Sequence, residues 1–240
     1  MAWYRERLTG FDLETTGTDV ENDRIVTAAL VTLASDGTAH AMRRWLLDPG
    51  VDIPEGAGAI HGISTEQARA HGIPAPDGIA QIAEAVAATL QGGEPLVVMN
   101  ARYDLTLLDR ECRRHGVPPL SDRLGEDPFP VIDPLVLDKH VDRYRKGRRN
   151  LQVLCAHYGV RLDTAHEAGA DAVAAARVAR SLGEHHPAIG IADLRELHKL
   201  QIWAAADQAA SFQQYLRETT DPAARIEPAW PLVPYQRCPV

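Results

Sequence analysis

The sequence predicts an α/β protein: one mixed five-stranded sheet flanked by helices, followed by a helical C-terminal extension. Three observations predict it. β-Patterned segments come first, helical periodicity takes over after Ile60, and two short apolar runs between turn signals interrupt the helices, in the order βββ–αα–β–α–β–ααα.

Leu8 to Leu13 reads as a short strand. Arg24 to Leu33 (RIVTAALVTL) is apolar enough for a buried strand, and His40 to Leu47 is its hairpin partner across Ser35-Asp36-Gly37-Thr38. Ser64 with Gln67 three residues later forms a capping-box pattern, and Gly72 should stop that helix. Residues 77–90 carry apolar side chains at helical spacing. Leu96 to Met99, between Pro95 and Asn100, fits a buried strand. A helix should follow from Ala101 to His115, stopped by Gly116 and the Pro118-Pro119 pair. The segment 117–130 reads as loop, 131–133 as a brief strand, and 134–143, 150–158 and 168–185 as helices. Asp193 and Glu196 form a second capping pair, opening a helix to about Glu218. Beyond it, Pro222, Pro228, Pro231, Pro234 and Pro239 preclude regular helix. These features place one domain at 1–187 and an extension at 188–240.

The 240 residues suffice for one sizeable domain with decoration. A net charge of −8 gives no overall basic footprint, although carboxylates gathered for metal binding contribute to that acidity. Cys112, Cys155 and Cys238 are far apart, which argues against a structural zinc site and a disulfide framework. There is no signal-peptide pattern and no run of about 18 apolar residues, so a cytoplasmic protein without membrane attachment is expected.

Asp12 and Glu14 lie two apart along a strand direction, where period two puts both carboxylates on one face. Like charges there repel, and a cation between them removes the penalty; hard oxygen ligands suit Mg²⁺ or Mn²⁺. An isolated Asp-x-Glu is equally at home on a solvent-facing edge strand. The Thr15-Thr16-Gly17 turn that follows adds N–H groups and hydroxyls able to hold a phosphate or sugar hydroxyl. Asp104, four residues past Asn100, is also ordinary first-turn helix chemistry, but Asn100 ends a strand where α/β sheets form their sites. His166 and Asp171 would sit about 140° apart on one continuous helix. They converge if the helix starts near Ala168 and leaves His166 in the preceding loop. The AVAAARVA run after Asp171 has little bulk, which allows close packing on the sheet. A carboxylate entering that apolar face needs a partner. GAGAIHG at 56–62 lacks the spacing of a dinucleotide fingerprint, and no helix is expected after its first glycines. Arg143, Arg145, Lys146, Arg148 and Arg149 form the one basic run, readable as a solvated loop or a phosphate clamp.

FDLETTG, IHGIS at 60–64, the N-x-x-Y-D ending at Asp104 and H-x-A-x-x-D from 166 to 171 together resemble the DEDDh, or DnaQ-like, 3′–5′ exonucleases, over about residues 7–183. The resemblance implies a ribonuclease H-like fold and two-metal hydrolysis with Mg²⁺, or Mn²⁺ in its place. It assigns Asp12, Glu14, Asp104 and Asp171 to the metals, Asp12 bridging both ions, and makes His166 the base. It brings Thr15, Thr16, Asn100 and Tyr103 to the substrate and His61 near the last nucleotides. The substrate implied is a nucleic acid 3′ end; the family acts on both DNA and RNA, so proofreading, repair and RNA turnover all stay open, with single-stranded DNA the favoured expectation and RNA the other. Two departures stand out: Tyr103 where Phe is common, and Met99 where some members have His. A non-catalytic nucleic-acid-binding or polymerase-accessory module of the same fold is the competing expectation, and retention of all four acids and the histidine opposes it. Trp203, Phe212, Tyr215 and Leu216 are expected to pack the extension's helix on the domain. The tail with Trp230 and Tyr235 is alternatively a docking segment for a polymerase or repair partner.

Overall fold

A computed structural model describes residues 2–162 and 165–236. Cys238 and Pro239 lie outside them.

Strand β1 (Leu8–Thr15) is the centre of the molecule. It pairs antiparallel with β2 (Ile25–Leu33), which pairs antiparallel with β3 (Ala39–Asp48). Helices α1 (Glu55–His61) and α2 (Thr65–His71) follow, then β4 (Ile73–Pro74), parallel to β3. Helix α3 (Ala75–Gln91) leads to β5 (Leu96–Val98), parallel to β1 on its other side. Helices α4 (Ala101–Arg114) and α5 (Leu120–Leu124) precede β6 (Val131–Ile132), the far edge. Then come α6 (Pro134–Val141), α7 (Leu151–His157), α8 (Ala168–His185), α9 (Pro187–Gly190) and α10 (Leu194–Thr219). The sheet order is β4-β3-β2-β1-β5-β6.

The expected mixed sheet with flanking helices is present, with six strands in place of five. The sixth, β4, is a two-residue parallel bridge at the end of α2, too short to carry any alternation. Three helices were also unexpected, one of them the four-residue α9. α1 runs through the glycines of 56–62, where none was foreseen, and α5 lies inside the 117–130 segment. Both are short and flanked by proline and glycine, the residues that signal loop. The capping boxes at Ser64/Gln67 and Asp193/Glu196 are both formed.

Period two divides β1 between two cores. Phe11 and Leu13 belong to the layer built with α3 and α4, whereas Leu8 belongs to the layer built with α8. Gly10, Asp12 and Glu14 continue Leu8's row. A Cβ on Gly10 would stand 2.1 Å from the backbone oxygen of Ala172, so only glycine lets α8 approach this closely. The contacting stretch of α8 is the alanine-rich run, with Ala172, Ala175, Ala176 and Ala179 buried.

The extension belongs to the same core. Gln201 on α10 donates its Nε2 to the carbonyl of Val131 (3.0 Å), and its Oε1 accepts from the amide of Asp133 (2.6 Å). The Val131 amide donates to His198 Nδ1 (3.2 Å). Two side chains thereby satisfy the outer edge of β6, which would otherwise offer unpaired backbone groups. Trp230 is buried against His198 (ring centroids 4.9 Å apart), while Tyr235 lies over the guanidinium of Arg113. Of the four side chains expected to pack α10, Trp203, Phe212 and Tyr215 instead remain exposed; the helix buries Leu197, Gln201, Ala204 and Ala209.

Among the described residues no helix is long and apolar enough to cross a membrane, and Cys112 and Cys155 are free and buried.

Candidate active site

The C-terminal end of β1 carries Asp12 and Glu14, and the parallel β5 ends beside it. Both strands deliver their functional residues to one edge of the sheet, as α/β sheets do. After β5, Asn100 adopts a left-handed conformation (φ 65°), which asparagine tolerates, and α4 starts at once. Asp104 in its first turn turns back to β1, where its Oδ1 accepts from the amide of Leu13 (3.1 Å). From the other side α8 brings Asp171, next to the Ala172 contact that Gly10 permits. His166 precedes the helix with φ 62°, and its amide donates to Asp171 Oδ2 (3.0 Å). The loop and the first turn therefore converge as the residue spacing requires. One donor atom from each of Glu14, His166 and Asp171 lies within 4.8 Å of the other two.

Thr15, Tyr103 and Gly17 form a second group. The Tyr103 hydroxyl donates to the Gly17 carbonyl (2.5 Å) and meets Thr15 Oγ1 at 2.7 Å. A phenylalanine could make neither bond, so this departure from the common motif ties α4 to the turn after β1. The buried Thr16 is turned the other way: its hydroxyl donates to Asp23 Oδ1 (2.7 Å) and accepts from the Arg24 amide (3.0 Å), which holds the turn. His61, the last residue of α1, lines a cavity of about 360 Å³ together with Glu14, Trp45, His166 and Gly169. Its Nδ1 accepts from the Ile63 amide (3.2 Å), and its buried Nε2 has no partner. At the mouth, Arg44 pairs with Glu167 (3.2 Å), clipping the His166 loop to β3.

Asp133 was not foreseen. Buried at the end of β6, it accepts from the amides of Asn100 (3.0 Å), Ala101 (2.9 Å) and Leu135 (2.9 Å) and from Trp230 Nε1 (3.2 Å). It secures the strand-to-helix corner that carries Asp104. Gly10 was equally unremarked. Its signal, a small residue two before the first acid, is readable only once α8 is placed.

The electrostatics are one-sided. Burial, reinforced by Asp104, Asp171 and Glu14, holds the Asp12 carboxyl well above its ordinary range. Burial does the same to Asp104 and raises Asp171, while burial and Asp171 push Glu14 up to about 7. Asp171 Oδ1 is buried without a hydrogen-bond partner. Clustered acids that prefer the proton, with an orphaned carboxylate oxygen among them, fit hard divalent cations bound through oxygen.

This has a consequence for stability. The folded protein holds protons on Glu14 that the unfolded chain releases nearer 4.5, so this stabilisation is complete below 4.5 and lost as pH rises through about 7. In EDTA the melting temperature should therefore fall across that interval. Mg²⁺ should raise it more above pH 7 than below 5, where protons compete for the site. Calorimetry at several pH values, with and without Mg²⁺, measures both.

The exonuclease family model RNase_T matches residues 9–179. Among solved structures, E. coli Exonuclease I in complex with a dA16 oligonucleotide superposes with a TM-score of 0.64 at 20% identity, covering 76% of this chain and 42% of that one. A moderately thermophilic Exonuclease I from Methylocaldum szegediense gives 0.63 at 21% identity, over 88% and 46%. Exonuclease X in complex with 5′ overhanging duplex DNA gives 0.56 at 20% identity, over 81% and 99%. The chain thus spans less than half the length of the Exonuclease I structures. No curated protein matches it.

Proposed function

The chain belongs to the DnaQ-like exonuclease family, whose members are metal-dependent nucleic-acid hydrolases, and from that premise we propose that it releases nucleoside 5′-monophosphates from the 3′ end of single-stranded DNA. The observation that carries the reading is the convergence of Asp12, Glu14, Asp104 and Asp171, from β1, α4 and α8, with His166 beside them.

Two divalent ions held by the four acids would clamp the attacking and leaving oxygens of an in-line displacement. His166 faces Glu14 and Asp171 from the exposed loop, where an imidazole nitrogen takes a proton from the attacking water. Water adds to phosphorus, the bond to the 3′ oxygen breaks, and that oxygen becomes the hydroxyl of the shortened strand. The turn tied by Thr15 and Tyr103 presents its backbone to the terminal sugar, and burial keeps Tyr103 protonated by raising it to about 12. Burial lowers the pKa of His61, which favours a neutral ring close to the backbone of Thr15, at the turn that meets the terminal sugar. DNA as substrate is supported by the oligonucleotides bound to the neighbouring structures.

The test is degradation of 3′- and 5′-labelled single-stranded DNA and RNA with Mg²⁺ or EDTA. Metal-dependent loss of the 3′ label as mononucleotide, faster on DNA, is expected; absence of cleavage on both polymers would overturn the reading. In the same assay His166→Gln should lower the single-turnover rate by about 10²–10⁴-fold. The Mg²⁺-induced rise in melting temperature should survive, which separates a base from a metal ligand.

A further inference from the structure

A second set of cations and aromatic rings lies outside the carboxylate cluster, along the C-terminal helix. Two grooves of about 480 and 120 Å³ separate α6 from α10 and share Lys139, Gln208 and Phe212. The smaller is lined by Asn100, which precedes α4, and by Arg102, two residues before Asp104. The larger extends to Arg143 and Trp203. The groove therefore begins at the N-terminus of α4, the helix that carries Asp104, and runs along α10.

Its lining is unlike the rest of an acidic chain. Arg102 bonds the Glu227 carbonyl, and Lys139 forms no direct ion pair among the described residues, although Asp133 and Asp138 act on its charge. Arg143 shares Asp207 at 3.0 Å. Arg145 and Arg149 line the larger groove but are committed to the buried Asp138 (2.5 and 2.6 Å), so of the five-residue basic run only Arg143 offers the groove a guanidinium not held by Asp138. Half-burial lowers the Lys139 pKa, a cost that a bound phosphate would offset. Trp203 is 58% exposed and Phe212 51%, although α10 has a buried face. Exposed rings beside Lys139 and the partly exposed Arg143 suit a strand whose bases are free to stack.

We propose that this groove carries the single strand upstream of its 3′ terminus, with phosphates on Arg102, Lys139 and Arg143 and bases on Trp203 and Phe212. The proposal rests on the exonuclease reading for its direction, but the groove can be tested apart from it.

Anisotropy titrations in EDTA, with labelled oligothymidylates of about 4 and about 16 nucleotides, read the groove alone. Trp203→Ala and Phe212→Ala should each weaken the longer complex about 5- to 100-fold and leave the shorter one unchanged. Lys139→Gln should reduce the slope of log affinity against log salt by about 0.7, which lost packing would not do. Circular dichroism melts confirm folding of each variant. Wild-type affinity for the longer oligomer in all three variants overturns the proposal. Cleavage of the shorter oligomer with Mg²⁺ reports the catalytic reading separately: its absence, with the variants still weakened on the longer strand, overturns that reading and upholds the groove.

Discussion

Asp12→Asn is expected to lower the single-turnover rate of nucleotide release at least about 10³-fold, the order that several kcal/mol of lost charge stabilisation imposes. Among the acids, Asp12 is the one whose carboxyl is raised by all three others, so it stands at the electrostatic centre of the cluster. The amide is nearly isosteric and removes one of several mutually repelling charges. In the absence of metal the variant should therefore melt no lower than the parent, and above pH 7 somewhat higher. A large catalytic loss with unchanged or increased metal-free stability distinguishes a metal-binding acid from a structural one. A variant that melts well below the parent in EDTA would assign Asp12 to the scaffold instead.

Asp133→Ala should have the largest effect on stability. Five donors converge on that carboxylate, four of them backbone amides at the corners entering α4 and α6. Each buried donor left unpaired costs about 1–3 kcal/mol, and solvent can reach only some of them after truncation. A loss of about 3–5 kcal/mol, or roughly 10–15 °C in melting temperature, is expected. Because Asn100 and Ala101 open the helix carrying Asp104, activity of the folded fraction should fall as well. Urea denaturation alongside a rate measurement well below the melting point separates the two effects.

Much of this was legible along the chain. Both capping boxes could be read from Ser64/Gln67 and Asp193/Glu196, because a cap is a contact between residues three apart. Asp12 and Glu14 could be placed on one face by strand period, and His166 and Asp171 could be brought together only by starting a helix between them, as α8 does. What escaped notice is non-local. Asp133 looks like any strand-end aspartate until Asn100, Leu135 and Trp230 arrive around it. Gln201 and His198 look like surface residues of an amphipathic helix until β6 presents its open edge. Trp203 and Phe212 were expected to pack because they are large and apolar; the structure buries Gln201 and leaves the rings in water.

The sequence by itself determined the candidates for the chemistry, the four acids and the histidine, the order in which strands and helices present them, and the family to which that order belongs. Only the tertiary structure decided how closely they meet. That distance depends on a missing Cβ at Gly10 against Ala172, on the buried carboxylate at Asp133, and on an extension that completes the sheet edge. Local periodicity encodes which way a side chain points, whereas the approach of two backbones is set by every group packed between and behind them.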